Sequence, residues 1–309
     1  MIRTENLRKE FGALVAVDDL SLEIEEGDIF GFIGPNGAGK TTTIKMLATL
    51  LKPTSGTACI DGIDVVRNHE MVRPLIGFMP DFFGVYDDVK VWEYLDFFAA
   101  AYRIPKSERA DRMDYVLDLT NLAIKKDSFV EELSRGMKQR LCLAKTLIHE
   151  PKVLLLDEPA SGLDPRARIE IKDLLKKLRT MGKTILISSH ILPELADFCN
   201  KVGIIEKGCL VVAGDVRKIM EEVTGARILE IRVMDGSLQK AFEVMAGLKP
   251  VKDVKTIDGA LVAEFTGTLE DQCSVLQSLV MAGVKVLSFA EQATDLEDIF
   301  MKVTKGIVS

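Results

Sequence analysis

The residues GPNGAGKT at positions 34–41 constrain the possible folds more than any other segment of this chain. They match the pattern G-x-x-x-x-G-K-[ST] and lie between a predicted strand, DIFGFI at 28–33, and a predicted helix, TTTIKMLATLL at 41–51. Glycines let the backbone curl until its N–H groups point inward, and the start of the following helix adds a partial positive charge. Both features favour phosphate, so we predict a site for a nucleoside triphosphate.

A second segment, VLLLDEP at 153–159, complements the phosphate loop. It is predicted to be a buried strand that ends in acids, with Asp157 holding Mg²⁺ and Glu158 orienting and polarising an attacking water. In the loop itself, Lys40 is predicted to place a cation beside the β- and γ-phosphates, and the Thr41 hydroxyl to ligate Mg²⁺. The predicted reaction is phosphoryl transfer to water, which depends mainly on positioning and electrostatics.

Short apolar runs alternate with helical segments through most of the first 220 residues. The runs VLLLD (153–157), TILIS (184–188) and VGII (202–205) are unbroken, which is typical of parallel strands buried on both faces. Two crossover helices are predicted between them, at 168–178 and 191–199. This alternation predicts an α/β layered domain.

Residues 91–150 contain helical segments and no convincing strand, so we predict a helical subdomain, about 87–150, inserted into the α/β body. It ends with LSRGMKQRLCLAKTLIHEP at 133–151, in which Ser134 is a good N-cap. The Ser134 hydroxyl and the adjacent N–H groups form a second helix start that favours an anion. A second anion site, remote from the first in sequence, suggests that two copies meet around one phosphate.

After about residue 225 the predicted order becomes β-α-β-β-α-β, the ferredoxin-like split arrangement. The predicted strands and helices lie at 228–233, 238–248, 251–257, 260–265, 269–283 and 284–289. A last helix is predicted at 295–303, with a capping box formed by Thr294 and Glu297. No catalytic constellation occurs here, so a packing or dimer-supporting role is favoured over a ligand sensor.

Composition limits the class of protein. The 309 residues are 47% hydrophobic and 28% charged, an ordinary globular balance, and the net charge of −7 offers no general basic surface to nucleic acid. The five cysteines include no CxxC pair, which favours a reducing compartment and argues against a zinc site. Apolar runs of about half a dozen residues are far shorter than the roughly 20 that a membrane span needs, and no signal peptide is visible.

Together, GPNGAGKTT, LSRGMKQR, LLLDEPASGLDP and SSH resemble the nucleotide-binding subunits of ABC transporters that pair with a separately encoded membrane subunit. The resemblance covers about residues 1–220, and the remainder looks like an accessory domain of some exporter-type subunits. It implies a RecA-like P-loop NTPase core with an inserted helical subdomain at 1–222, and a small α+β domain at 225–309. It also implies an ATPase that uses ATP and Mg²⁺, lies peripherally on the cytoplasmic face of the cell membrane, and drives export through a polytopic membrane subunit without nucleic acid.

The resemblance implies roles for individual residues. Lys40, Glu158 and His190 match catalytic positions, with His190 as the switch histidine at the γ-phosphate. Phe11 matches the aromatic that stacks on adenine, with a core phenylalanine as the alternative. The positions implied in nucleotide binding are Phe11, Gly34, Pro35, Asn36, Gly37, Ala38, Gly39, Lys40, Thr41, Thr42, Ser134 and Gly136.

In this family two subunits sandwich two ATP molecules head to tail, so Ser134 and Gly136 would contact the partner subunit's ATP. The partner would be a second copy or a paralogue. Residues 161–164 match the loop that crosses between the subunits. The usual signature LSGGQ is LSRGM here, so Arg135 adds a cation near the expected γ-phosphate and Met137 replaces a polar side chain.

FMPDFFGVYD at 78–87 lies where the family carries a glutamine in a lid loop. Its aromatics are interpreted as a docking surface for the membrane subunit together with a hinge anchor, or alternatively as core filling between subdomains. A carboxylate within ~4 Å of another negative charge costs roughly 4 kcal/mol at an effective dielectric near 20. Asp81 is therefore either a Mg²⁺ ligand in the closed state, which is our hypothesis, or turned away from the nucleotide.

Three other functions fit parts of this pattern. A soluble ABC-type ATPase acting on ribosomes or DNA shares the motifs, but such relatives usually carry two nucleotide domains or long coiled-coil inserts. A small-molecule kinase shares only the phosphate loop. An inactive regulatory copy is disfavoured because Lys40, Asp157, Glu158 and His190 are all intact.

Overall fold

The structure, a computed structural model, describes residues 1–82, 84, 86–191, 195, 198–216, 218–219, 227–234, 236–257 and 259–292. The chain forms two compact units, Met1–Val216 and Arg217–Ser309. Within the described residues, no helix combines the length and the apolar character needed to cross a membrane.

Strands and helices alternate through most of the first unit. Its strands are β1 (Ile2–Phe11), β2 (Leu14–Ile24), β3 (Ile29–Ile33), β4 (Ser55–Ile60), β5 (Ile63–Asp64), β6 (Ile76–Met79), β7 (Val153–Asp157), β8 (Thr184–Ser189), β9 (Lys201–Glu206) and β10 (Cys209–Asp215). Its α-helices are α1 (Lys40–Leu47), α2 (His69–Val72), α3 (Val91–Ala101), α4 (Lys106–Leu119), α5 (Arg135–Leu147) and α6 (Pro165–Thr180). Short 3₁₀ turns occur at Arg73–Leu75, Ala123–Lys125 and Val130–Glu132.

A six-stranded sheet with the order β10-β9-β3-β8-β7-β6 forms the centre of this unit. All neighbouring strands in it are parallel except β10, which runs antiparallel to β9. Every residue of β3, β7 and β8 is buried, which explains why these strands are continuous apolar runs. The predicted parallel strands are confirmed, and the carboxyl ends of β3, β8 and β7 lie side by side, where open α/β sheets bind ligands.

A second, antiparallel sheet has the order β2-β1-β4-β5. The pairing of β1 with β2 shifts register between Thr4 and Leu7 and again before Glu10, so this hairpin is irregular. Its inward side chains, such as Leu7 and Leu20, join one core with Ile44 and Leu47 of α1. The hairpin ends at Phe11, and the core contact with α1 holds that end near the phosphate loop.

The predicted helical segment is confirmed as α3, α4 and α5. The helix predicted at 41–51 is shorter in the structure, where α1 ends at Leu47. Ala48 caps it, and Thr49 follows with φ +61°, a left-handed conformation that an α-helix does not continue through. Most of the helix predicted at 191–199 lies outside the described residues.

The second unit contains, in chain order, β11 (Arg227–Val233), α7 (Leu238–Ala246), β12 (Val251–Ile257), β13 (Ala260–Phe265), α8 (Leu269–Met281) and β14 (Val286–Gln292). Its sheet has the order β12-β13-β11-β14 and is antiparallel throughout. The predicted ferredoxin-like arrangement is confirmed. Thr268 and Asp271 form a capping box at the start of α8. The helix predicted at 295–303 lies outside the described residues.

Candidate nucleotide site

The phosphate loop follows β3 and ends in the first turn of α1. Gly39, the N-cap of α1, has φ +106°, and Gly37 has φ +81°; both lie in the region that favours glycine. Gly34 needs glycine for another reason, since a Cβ there would collide with the carbonyl oxygen of Ile205. The curled backbone expected from the sequence therefore depends on these glycines.

Lys40 lies inside this loop, with only 6% of its surface exposed. Its Nζ donates hydrogen bonds to the carbonyl oxygens of Gly34, at 2.5 Å, and Pro35, at 3.2 Å. Burial lowers the pKa of the Lys40 ammonium, while the nearby carboxylates of Glu158 and Asp157 act in the opposite direction. The ammonium is thus already placed where phosphate oxygens could replace carbonyl oxygens as its partners.

Asp157 ends β7, and its carboxylate is almost fully buried, with 1% exposed. The hydroxyl of Ser188 donates to Asp157 Oδ1 at 2.6 Å, and the backbone N–H of Glu158 donates to the same hydroxyl oxygen at 3.0 Å. Ser188 is directly opposite Asp157 in the parallel pairing of β7 with β8. Ser188 therefore positions the carboxylate of Asp157 and the backbone of Glu158, a role that the sequence pattern does not indicate.

Glu158 lies between the side chains of Lys40 and His190. Its Oε2 is 2.9 Å from Nδ1 of His190, and its Oε1 is 3.7 Å from Nζ of Lys40. Its backbone has φ +50°, a left-handed conformation that is uncommon for residues other than glycine. The turn after β7 thus directs the carboxylate toward Lys40 and His190.

Lys40 and Glu158 border an open pocket of about 280 Å³. The predicted residues that line it are Phe11, Pro35, Asn36, Gly37, Ala38, Gly39, Lys40, Thr41, Thr42, Asp81 and Glu158, and they are joined by Leu14 and Ala16. Phe11 is 48% exposed, which is inconsistent with a core phenylalanine. The ammonium of Lys9 lies 5.0 Å from the centre of its ring. The pocket therefore offers an aromatic face at one end and the phosphate loop at the other.

Ser134 and Gly136 lie elsewhere, since neither is among the described residues that line this pocket. Ser134 is the N-cap of α5, as predicted, and its hydroxyl accepts a hydrogen bond from Met137 N at 3.3 Å. Gly136 approaches α6, where its added Cβ would lie 3.2 Å from the Cβ of Ala167. The second predicted anion position is therefore separate from the first within one chain.

The fold and the phosphate loop together define a P-loop nucleoside triphosphatase. A family model described as ABC transporter matches residues 17–161, and one described as the C-terminal domain of DrrA1-3-like ATP-binding proteins matches residues 214–304.

Similar proteins extend over nearly the whole chain. The Nod factor export ATP-binding protein I of Cupriavidus metallidurans is 32% identical over 304 residues, or 98% of this chain and 97% of that protein. The linearmycin resistance ATP-binding protein LnrL of Bacillus subtilis is 29% identical over 307 residues, or 98% of each chain. Among solved structures, a dimeric ATP-binding cassette in a post-hydrolysis state with ADP and phosphate is 27% identical, with a TM-score of 0.63 over 70% of this chain and 99% of that chain.

The chain belongs to the family of ABC transporter ATP-binding proteins. It is an ABC-type ATPase with a C-terminal accessory domain, so the resemblance seen in the sequence, the predicted fold class and the predicted ATPase activity are confirmed. Cassettes of this family bind ATP, form dimers and partner with membrane subunits.

Proposed function

We propose that this chain is the motor subunit of an exporter, in which ATP closes a dimer and the closure moves a docked membrane subunit. The observation that carries the proposal is that three adjacent strands end in side chains that meet around Glu158, beside the pocket at the phosphate loop. β3 leads to Lys40, β7 to Asp157 and Glu158, and β8 to His190. Two similar proteins, one named for Nod factor export and one for linearmycin resistance, support the direction of transport.

Each residue of the site has a role that its chemistry suits. Lys40 binds the β- and γ-phosphates, and the N–H groups of residues 37–42 bind the remaining phosphate oxygens. Glu158 accepts a proton from the attacking water, and His190 donates a hydrogen bond toward the γ-phosphate. Phe11 stacks on the adenine ring. The contact between Glu158 and His190 keeps the base and the phosphate sensor together before the nucleotide arrives.

The donor atoms of this site suit Mg²⁺. Mg²⁺ is usually held by one or two carboxylates together with substrate phosphates, rather than by a cage of protein ligands. In the part of the chain that the structure describes, no three His, Cys, Asp or Glu side chains form a metal cage, while Asp157 is buried and Thr41 lines the pocket. Asp157 and Thr41 would hold the ion, which when bound neutralises charge that develops on the phosphates.

The site is completed by a partner subunit. Ser134 and the first N–H groups of α5 bind the partner's ATP, and Gly136 allows the close approach of backbone to phosphate. The separation of Ser134 from the phosphate pocket within one chain supports this arrangement. Two copies of this chain, or one copy and a paralogue, satisfy it equally.

The membrane subunit docks near residues 78–87. Phe82 is 90% exposed and Tyr86 is 59% exposed, and the Tyr86 ring contacts Phe97 of α3, itself 56% exposed, at 6.0 Å between centroids. Exposed aromatic patches of this kind mark interaction surfaces. Phe78 instead packs against the core, which fits the hinge anchor. Phe83 lies outside the described residues.

Asp81 lines the pocket beside the phosphate loop, and its charge slightly opposes the lowering of the Lys40 pKa that burial causes. We therefore expect Asp81→Asn to raise the Mg²⁺ concentration for half-maximal hydrolysis roughly fivefold, because an ionised oxygen ligand of the metal is lost. Asp81→Gln, which introduces the glutamine that the family carries in this loop, should raise that Mg²⁺ concentration less. Steady-state phosphate release at fixed ATP and varied Mg²⁺ measures both.

Asp88→Asn serves as the matched control, because Asp88 is exposed and does not line the pocket. It should leave the Mg²⁺ dependence unchanged. An unchanged dependence in both Asp81 variants would show that Asp81 does not ligate the metal.

The proposed function is tested by purifying the tagged chain in gentle detergent from its native cells and identifying its partners by mass spectrometry. We expect a stoichiometric polytopic membrane protein. Phe82→Ser should reduce its recovery, because Phe82 is the most exposed of the described aromatics at 78–87. Ile169→Ser is the control, since Ile169 is an exposed apolar side chain on α6.

Recovery of ribosomal proteins or DNA-maintenance factors, without a membrane protein, would contradict the exporter and favour the soluble ATPase. Equal recovery of the membrane protein with Phe82→Ser would be consistent with the motor function but would show that the membrane subunit docks elsewhere.

A further inference from the structure

One face of α5 is hydrogen-bonded to the loop that follows Glu158, residues 159–164. Arg135 and Gln139 are one helical turn apart and therefore project from the same side of α5. Gln139, which is 3% exposed, donates through Nε2 to the carbonyl oxygen of Pro159. Arg135 donates through Nη2 to the carbonyl oxygen of Ser161 at 3.4 Å. The carbonyl groups of Pro159 and Ser161, two residues apart in this loop, are thus hydrogen-bonded to one helix.

The guanidinium of Arg135 also covers the backbone of Gly162. Gly162 has φ +67°, and a Cβ built on it would collide with the guanidinium. The loop is bonded on its far side as well, since Arg168 Nε donates to the carbonyl oxygen of Leu163 at 2.9 Å and Asp164 caps α6. Arg135 thus provides a side-chain contact between the first turn of α5 and this loop.

This orientation differs from the sequence expectation, in which Arg135 adds a cation near the partner's γ-phosphate. The guanidinium is instead turned to the loop of its own chain. The corresponding residue of the LSGGQ signature is glycine, which has no side chain, so the contact adds a connection between α5 and the loop. A hydrogen bond from a guanidinium is stronger than one between neutral groups, although exposure to solvent weakens it.

We propose that Arg135 is a positioning residue for ATP hydrolysis. It couples the start of α5, where Ser134 would meet the partner's ATP, to the loop that follows Glu158 in its own site. Binding at one site of the dimer then shifts the catalytic loop of the other. The inference rests on the proposed function, because that function places ATP at Ser134.

Steady-state hydrolysis by the purified full chain, measured against ATP concentration, tests this coupling. Arg135→Ala should lower kcat roughly fivefold, with KM for ATP within about twofold, since the variant loses positioning and not nucleotide contacts. The Hill coefficient for ATP should fall toward 1. Arg135→Lys should recover part of kcat, because an ammonium can still donate to Ser161 O.

Arg166→Ala is the matched control, because Arg166 lies in the first turn of α6 with 91% of its side chain exposed. It should leave kcat and the Hill coefficient unchanged. Melting temperatures of all variants separate a loss of positioning from a loss of folded protein.

A double-variant cycle tests the contact itself. Gly162→Ala strains the backbone in any background, but it collides with the guanidinium only when Arg135 is present. The loss of kcat caused by Gly162→Ala should therefore be at least about threefold smaller in the Arg135→Ala background.

Each contrary result has a distinct meaning. A rise in KM with unchanged kcat would place Arg135 at the nucleotide and overturn the inference, as would equal losses from Gly162→Ala in both backgrounds. If the wild-type chain showed no hydrolysis that depends on Glu158, the proposed function would fail, and the inference with it.

Discussion

Glu158→Gln is expected to lower kcat for ATP hydrolysis by at least about a hundredfold, because an amide cannot accept the proton of the attacking water. ATP binding should be retained or strengthened, since the substitution removes a negative charge near the triphosphate. Glu158 lies 3.7 Å from the ammonium of Lys40, so this change also frees that ammonium for phosphate. Phosphate release measures kcat, and size-exclusion chromatography with ATP and Mg²⁺ measures the dimer that should accumulate.

Glu70→Gln is the control for this experiment, because Glu70 is an exposed residue of the short helix α2. A Glu158→Gln variant that keeps more than about a tenth of wild-type kcat would contradict the role of Glu158 as base. If His190→Ala were inactive while Glu158→Gln kept that activity, hydrolysis would depend on His190 and not on Glu158. The 2.9 Å contact between these two side chains makes that comparison necessary.

The central sheet could be predicted from sequence because its strands are buried on both faces and therefore appear as unbroken apolar runs. The acids at the end of β7 could be placed as well, because open α/β sheets bind ligands at the carboxyl ends of their parallel strands. The antiparallel sheet was harder to predict. β1 alternates buried and exposed residues and is interrupted by register shifts, so its pattern is weak.

Contacts between strands and loops could not be predicted from the pattern. Ser188 ends the predicted strand TILIS, but its place beside Asp157 depends on the parallel register that pairs these two residues across β7 and β8. The direction of Arg135 depends on a loop 26 residues away in sequence. Periodicity identifies the faces of an element, whereas such contacts depend on how two elements meet.

His149 carries a partly buried imidazole for which the sequence pattern predicts no role. Its ring stacks on Tyr102 with centroids 3.7 Å apart and planes 8° from parallel, and its Nε2 is 2.8 Å from the carbonyl oxygen of Ile76. Because a carbonyl only accepts, Nε2 carries the proton, and Nδ1 is buried without a hydrogen-bond partner among the described residues. Burial lowers the pKa of His149 to about 4, and the charge of Lys183 acts in the same direction.

This shift predicts that the folded chain loses stability in mild acid. The unfolded imidazole keeps its ordinary pKa of 6.5, so between that value and about 4 the unfolded chain binds more protons than the folded chain. The free energy of unfolding that neutral His149 contributes is fully present above pH 6.5. It is lost as the pH falls to about 4, by roughly 3 kcal/mol in total. Urea unfolding followed by fluorescence of Trp92, the only tryptophan, measures it at each pH.

His149→Gln separates this residue from other titrating groups. Glutamine can still donate to the carbonyl oxygen of Ile76 but does not titrate, so the fall in stability between pH 6.5 and 4 should be smaller by most of that amount. Tyr102→Ala should also reduce the pH dependence, because removing the stacked ring exposes the imidazole and raises its pKa. Identical pH profiles of stability for the wild type and His149→Gln would show that His149 does not cause the pH dependence. A stability that rises on acidification would contradict the lowered pKa of His149.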